Sequence, residues 1–315
     1  MRFFDADAVS ATLDYAGLIP ALTRAHEADV DDVRSVVLEQ PGSTGVDHFL
    51  ALPAWQVGKA IGAKLVTVFP GNDKDGGLLP AIQAAYVLFD GTNGRPAAVI
   101  DGTVLTLFKT AADSGVGASF LARRDASQML MVGAGALGPH LIRAHLAARP
   151  SITQVKIWNR TPGRAQALAD RLTLPGVAIS ATEDLETTAR TADVISCATM
   201  ATEPLILGDW LKPGAHLDLV GSYQLDMREC DEDAVVRADV FVDSPWSAVD
   251  DNGEIAGALK SGVLTREQIL ANNFDFARGH HSGRYSDDQI TLYKNGGGGH
   301  LDLMVAQILC PMGNG

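Results

Sequence analysis

The chain has 315 residues, 46% of them apolar and 20% charged. That length suggests about two domains, and the apolar share excludes a disordered chain. With 25 Lys plus Arg against 38 Asp plus Glu, the formal net charge is −13. Such a surface repels phosphate backbones and excludes a general nucleic-acid binder, so any anion site must be a local cluster of basic groups.

Cys197, Cys230 and Cys310 are the only cysteines, and no CxxC pair occurs. Neither a disulfide framework nor a thiolate metal site is supported, which fits a reducing compartment. The opening MRFFDADAVS carries Asp5 and Asp7 where a secretory signal would be basic and then apolar. No uninterrupted apolar run approaches the ~20 residues a bilayer requires. We expect a soluble, cytoplasmic protein without a membrane partner.

In chain order, residues 5–28 read as helix, through Val9, Leu13, Leu18, Leu22 and Ala25, with Pro20 dividing it or beginning a second helix. Residues 33–108 are rich in short β-type runs (SVVL, HFLAL, KLVTVF, AAYVLF, AAVI, VLTLF) separated by turn clusters such as PGNDKDGG and DGTNG. Short links imply a largely antiparallel sheet, and Asp101-Gly102 between AAVI and TVLTLF predicts a hairpin. From 111 to about 123 the pattern is helical. Strand and helix patterns then alternate: QMLMVG, a helix over 136–148, QVKIWN, a helix over 162–173, then DVISCAT and HLDLVG. This alternation predicts a parallel, doubly wound sheet. A short strand, ITLY, a glycine run and a helix from about His300 close the chain.

Gly133-Ala134-Gly135-Ala136-Leu137-Gly138 places GxGxxG directly between a strand and a helix. Gly133 permits the tight turn, Gly135 the approach of a pyrophosphate, and Gly138 close helix–strand packing, with the helix N-terminus favouring the anion. The next strand ends at Trp158-Asn159-Arg160-Thr161, without the carboxylate that usually accepts from an NAD ribose. Asn159, Arg160, Thr161 and Arg164 instead suit a 2′-phosphate, which favours NADP(H) over NAD(H); the plain alternative for the arginines is a surface ion pair.

At LALPAW (50–55), IGAKLVTVFPGN (61–72), LTLFKTAADS (105–114), VGAGALG (132–138), WNRT, LKPGAHLDLVGS (211–222) and YKNGGGGHLDLMVA (293–306), the chain resembles the ornithine cyclodeaminase and mu-crystallin family. The resemblance implies an α/β homodimer in which a Rossmann doubly wound parallel sheet (119–289) is inserted between the parts of a β-rich α+β substrate and dimerisation domain (1–118 with 290–315). It implies a small anionic imino or amino acid substrate, with Arg34 and Lys64 on its carboxylate and Lys64 catalytic. A lysine in so apolar a strand is costly unless paired, or exposed at a sheet edge. Lys109-Thr110 stands where the family commonly has Arg-Thr. Lysine keeps the charge but loses bidentate geometry, and the pair is expected at the cofactor phosphates or the substrate carboxylate. Further cofactor contacts are expected from Thr199, Met200, Val220, Gly221, Ser222 and Asn295. Gly296 and Gly297 are expected in a loop closing over the substrate, and His300 to titrate near neutral pH or to serve in capping or packing.

One departure bears on chemistry. The cyclodeaminases carry an Asp shortly after the glycine of the strand matching LDLVGS, and here Tyr223 fills that slot. Without that carboxylate the chain looks like the ketimine reductase branch, reducing Δ1-pyrroline-2-carboxylate or Δ1-piperideine-2-carboxylate to a cyclic amino acid such as L-proline. The alternatives are an ornithine cyclodeaminase, an alanine-type amino-acid dehydrogenase, and a non-catalytic mu-crystallin-like NADPH-binding protein. No metal site is expected: His280-His281 is an adjacent pair facing opposite ways if in a strand, and HExxH and GxSxG are absent. Cys197 reads as a small buried residue. Most of Asp226, Glu229, Asp231, Glu232 and Asp233 read as a solvated face, with Arg228 in the same surface network. Replacing Lys64 by Met is expected to leave folding largely intact.

Overall fold

The structure is a computed structural model and describes residues 1–30, 32–33, 35–42, 45–72, 79–250 and 252–312. It divides into two units, Met1–Thr110 with Gly298–Gly315, and Ala111–Gly297.

The first unit begins with β1 (Arg2–Phe4), α1 (Ala6–Thr12) and α2 (Tyr15–Ala25). The expected helix over 5–28 is thus two helices, and the break is at Leu13-Asp14 rather than at Pro20. Asp5 accepts from the Ala8 N–H and Asp14 from the Gly17 N–H, so each carboxylate caps one helix. Pro20 sits inside α2, where the buried face of Tyr15, Leu18, Ile19 and Leu22 outweighs the lost main-chain bond.

β2 (Asp32–Val33), β3 (Val36–Gly42), β4 (Gly45–Gln56), β5 (Ala60–Val68), β6 (Ile82–Asp90) and β7 (Pro96–Asp101) follow. The sheet order is β1-β7-β6-β5-β4-β2, with β3 also on β4, and every pair is antiparallel except β1 on β7. The final helix α10 (Gly299–Leu309) packs against β4, β5 and α2.

The hairpin expected at Asp101-Gly102 does not form. Asp101 Oδ1 accepts from the Val104 N–H at 2.8 Å and starts α3 (Gly102–Leu121), so VLTLF is helical. Gly102 is required there because a Cβ would lie 2.8 Å from the Ala84 backbone.

The second unit continues from α3 with β8 (Gln128–Val132), α4 (Gly138–Ala148), β9 (Gln154–Trp158), α5 (Pro162–Arg171), β10 (Ala178–Ala181), α6 (Leu185–Thr191), β11 (Val194–Cys197) and β12 (His216–Leu219). Then come α7 (Glu232–Arg237), β13 (Asp239–Val242), α8 (Gly253–Ser261), β14 (Ile269–Asn272), α9 (Asn273–Ala277) and β15 (Thr291–Lys294). The sheet runs β10-β9-β8-β11-β12-β15-β13-β14 and is parallel throughout. β15 pairs with β12 and β13, so ITLY belongs to this unit and the break follows it instead of preceding residue 290.

The sheet is buried on both faces, as a parallel sheet requires: Leu130, Val132, Ile195, Leu217, Leu219, Val240 and Leu292 make one face apolar, while the other buries Met129, Met131, Val194 and Phe241 together with Ser196, His216 and Asp218. Register then positions the site. Trp158, Val132, Cys197, Leu219, Lys294 and Val242 pair in one row. The residues that follow them, Asn159, Gly133, Ala198, Val220, Asn295 and Asp243, therefore share the carboxyl edge of the sheet. Strand order reverses between β8 and β11, where doubly wound sheets take their ligands. Among the described residues no helix is long and apolar enough to cross a membrane.

Candidate active site

In the second unit, a cleft of about 260 Å³ opens at that reversal. Gly133, Ala134, Gly135, Asn159, Arg160, Thr161, Arg164, Thr199 and Met200 line it, with Trp158, Ala198, Ala201 and Leu205.

The three glycines are there for different reasons. Gly133 has φ +113°, and a Cβ would lie 2.5 Å from the Ala198 carbonyl. At Gly138 a Cβ would lie 2.9 Å from the Gly133 carbonyl. At Gly135 nothing in the protein lies within 4 Å of a Cβ. The fold does not require glycine at 135, and the open space there leaves the backbone accessible to a ligand. Ala136 and Leu137 complete the turn, and no side chain caps α4; the Gly138 and His140 N–H groups donate instead to the Gly135 and Leu137 carbonyls, at 3.1 and 3.0 Å.

Asn159 is taken up by the protein itself. Its Oδ1 accepts from the Ala134 N–H at 3.1 Å, and its Nδ2 donates to the Thr161 carbonyl at 3.0 Å. It shapes the glycine loop through these two bonds, and its Nδ2 has a second proton to offer in the cleft it lines. Arg160 and Arg164 are exposed and, among the described residues, neither has a carboxylate partner.

Beyond the cleft, the expected cofactor set is only partly available. Val220 lies on the carboxyl edge. The Gly221 N–H is committed to a Glu229 carboxylate oxygen at 2.6 Å. Ser222 is fully buried and accepts from Lys294 Nζ at 2.8 Å. Asn295 Nδ2 donates to Ser114 Oγ at 3.0 Å.

Gly296 and Gly297 are also explained from within. A Cβ on Gly296 would lie 2.6 Å from the Ser247 carbonyl, and the Gly297 N–H donates to Asp243 Oδ2 at 2.6 Å. These glycines dock the loop onto residues 243–248, so Gly297 offers a substrate no free N–H.

In the first unit, Lys64 lies on β5 between β4 and β6, opposite Leu52 and Tyr86. It is an interior-strand lysine, 8% exposed, and its Nζ lies 2.9 Å from Oδ2 of the fully buried Asp302 on α10. The solvated edge-strand alternative is excluded. Tyr86 is also fully buried. Burial, then the Asp302 charge, push its hydroxyl well above the ordinary value. Gly62 must be glycine because its Cβ would overlap the Tyr86 hydroxyl.

Lys109, 4% exposed, donates from Nζ to the Gly298 carbonyl at 3.4 Å. Both lysines thus meet the N-terminal turn of α10. Thr110 follows Lys109 on α3. His300 in that same turn is fully buried, and burial, His26 and Lys109 push its pKa well below 6.5. It is a neutral packing residue, not a group titrating near neutrality. Arg34 lies outside the described residues.

Sequence reasoning missed several buried charged groups, among them Asp302, Lys294, Glu254 and Glu229. Asp302 interrupts an apolar run, the same signal that singled out Lys64, and Lys294 directly follows one. Glu254 gave no signal. Glu229 was placed on a solvated face, yet it is fully buried: its carboxylate accepts from Thr199 N at 2.6 Å, Thr199 Oγ1 at 2.8 Å and Gly221 N. Tyr223, in the slot of the cyclodeaminase Asp, is 54% exposed. Cys197, Cys230 and Cys310 are free and buried. His280 and His281 follow α9 and are not in a strand. Among the described residues no group of three or more His, Cys, Asp or Glu could hold a metal ion.

The sequence profile of the ornithine cyclodeaminase/mu-crystallin family matches residues 16–310. The chain is 41% identical over 314 residues to Protein SAR DEFICIENT 4 of Arabidopsis thaliana, covering 98% of this chain and 96% of that one. It is 40% identical over 308 residues to the Δ1-pyrroline-2-carboxylate reductase of Paracoccus denitrificans, with the same coverage. Its structure matches that of Thermococcus litoralis Δ1-pyrroline-2-carboxylate reductase in complex with NADH and L-proline, with TM-score 0.87, 27% identity, and coverage of 98% of this chain and 96% of that one. The chain belongs to the ornithine cyclodeaminase/mu-crystallin family.

Proposed function

We propose that the protein is an NADPH-dependent reductase of a cyclic ketimine carboxylate, taking Δ1-pyrroline-2-carboxylate to L-proline. The support from its relatives is a shared reductase name at 40% identity over the whole chain. The observation that carries the reading is the pair of lysines, Lys64 and Lys109, each more than nine-tenths buried, at the N-terminal turn of α10. Two ammonium groups gathered at one helix turn attract an anion, and a small carboxylate is the anion that two point charges on flexible stems accommodate.

The open space at Gly135 fits a pyrophosphate, and Arg160 with Arg164 fit a 2′-phosphate. A bound nicotinamide coenzyme supplies a hydride to the C=N carbon. The chain's own residues do the rest. Lys64, held by Asp302, binds the substrate carboxylate and carries the proton that the imine nitrogen takes up, so that one hydride and one proton turn C=N into CH–NH. Arg34 is proposed as a second carboxylate ligand and Lys109 as an auxiliary one. Val220 and Asn295 are proposed to border the nicotinamide end of the cleft.

With Tyr223 exposed where a cyclodeaminase has its carboxylate, hydrolytic deamination is not expected. The active form is proposed to be a homodimer of the cytoplasm. Strand β3 exposes Val36, Val37 and Leu38 on both of its faces, and β4 adds Val46 and Phe49, an apolar surface suited to a second copy. The buried free cysteines fit a reducing compartment.

A parallel assay tests the reading. Coenzyme oxidation is followed with Δ1-pyrroline-2-carboxylate, and ammonia release is measured with L-ornithine. Oxidation faster with NADPH than with NADH, and no ammonia, is expected. Ammonia release without oxidation overturns it.

A further inference from the structure

The far wall of the cleft is built on a carboxylate that the reaction as described does not use. Ala198, Thr199, Met200, Ala201 and Leu205 form this wall. Glu229 holds it and the neighbouring chain with five hydrogen bonds. Its side chain accepts from Thr199 N, Thr199 Oγ1 and Gly221 N, at 2.6, 2.8 and 2.6 Å. Its carbonyl accepts from the Leu205 and Ile206 N–H groups, each at 3.0 Å. Gly221 is glycine because a Cβ would overlap the Thr199 backbone and the Glu229 carboxylate. The Glu229 N–H in turn donates to Glu254 Oε1, and Lys294 Nζ lies 3.5 Å from Glu254 Oε2 while donating to Ser222 Oγ at 2.8 Å. All three charged groups are buried.

We infer that Glu229 is a positioning residue for the nicotinamide half of the coenzyme: it fixes the chain ends after β11 and β12, on the far side of the strand-order reversal from the adenine half. The inference rests on the reading that this cleft takes a nicotinamide dinucleotide. In doubly wound folds each half of the sheet takes one nucleotide, so β8–β10 serve the adenosine end and β11–β12 the nicotinamide end. Glutamine at 229 keeps the shape but must turn an NH2 toward either the Thr199 or the Gly221 N–H, donor against donor. The wall then shifts, while Gly135, Arg160 and Arg164 are untouched.

The test compares two ligands on the intact protein, NADPH and adenosine 2′,5′-bisphosphate, which fills the adenine end alone. In Glu229→Gln the NADPH Kd is expected to rise at least about tenfold, the loss of one charge-assisted hydrogen bond. The bisphosphate Kd should stay within about twofold, and the single-turnover hydride-transfer rate should fall. If that variant does not fold, Thr199→Val, which removes one donor from the same carboxylate, carries the test with the same split. Equal effects on both ligands, or none on either, overturn the inference. Failure of the wild-type protein to bind either ligand would instead overturn the coenzyme reading on which it stands.

Discussion

Gly135→Ala separates what the glycine loop does for the fold from what it does for a ligand. Gly135 does not have the positive φ that disfavours a side chain, and a Cβ there meets nothing within 4 Å. Alanine therefore fits the folded chain, and by restricting the unfolded chain it should add about 0.4–1 kcal/mol of stability. The same methyl fills the space where a pyrophosphate must approach the backbone N–H groups. Displacing it forfeits at least one charge-assisted hydrogen bond, about 1.5–3 kcal/mol, or a roughly 10- to 100-fold weaker coenzyme. Gly138→Ala is the control: its Cβ would sit 2.9 Å from the Gly133 carbonyl and 3.4 Å from Leu168, an overpacking that should cost about 1–3 kcal/mol of stability. NADPH fluorescence titration and thermal unfolding measure both quantities. A Gly135→Ala protein that binds NADPH as tightly as the wild type refutes the assignment of this loop to a dinucleotide.

Other predictions follow from single contacts. Lys64→Met should lower kcat/KM by at least about a hundredfold if Lys64 has the proton-transfer role proposed. Against the expectation from sequence, it should also destabilise the fold by about 3–5 kcal/mol, because Asp302 is left charged and buried alone. Lys64→Met/Asp302→Leu should recover much of that stability but none of the activity, as chemical denaturation and initial rates will show. Arg160→Ala/Arg164→Ala should raise KM for NADPH about tenfold or more and leave KM for NADH nearly unchanged, since NADH has no 2′-phosphate for the two guanidinium groups to bind. Unchanged coenzyme selectivity would reject the 2′-phosphate assignment.

Burial, opposed by Lys294 and reinforced by Glu254, raises Glu229 from an ordinary 4.5 to about 7. The folded state therefore holds a proton that the unfolded state has released over that interval, so this group makes stability fall as pH rises from about 4.5 to about 7, by up to about 3 kcal/mol. Glu229→Gln should abolish that fall, and parallel unfolding curves for the two proteins at pH 5 and pH 7.5 show whether it does. A stability difference between them that does not change with pH would contradict a raised Glu229.

The parallel sheet and the glycine loop were legible because each is encoded locally, by apolar runs and by a strand–turn–helix junction. Two of the errors share a cause: the same residues serve two local structures. Asp101-Gly102 suits a hairpin turn, but an aspartate before VLTLF equally caps a helix, and the chain uses the cap. Pro20 reads as a helix break but is carried within α2 by its buried face. Residues 178–181, 239–242 and 269–272 form further strands of four residues each, which the sequence reading passed over. The charged interior was hardest to read. Lys64 stood out as a cation in an apolar strand, and Asp302 within LDLMVAQIL carries the same signal, but only tertiary structure shows that each is the other's partner. Glu229 lies in an acidic stretch whose composition says solvent. What buries it is the pairing with Thr199 and Gly221, residues distant in sequence. Gly296 and Gly297 read as a ligand loop, and only tertiary structure shows that Asp243 and Ser247 also pack against them.

The most direct test of the central claim is the initial rate of NADPH oxidation on freshly prepared Δ1-pyrroline-2-carboxylate, with L-proline quantified in the same samples. A reductase consumes NADPH and forms proline in equal amounts, with the six-membered analogue and NADH as comparison arms. Tight NADPH binding with no oxidation on either ring, under conditions where the Lys64→Met protein behaves identically, would contradict the account.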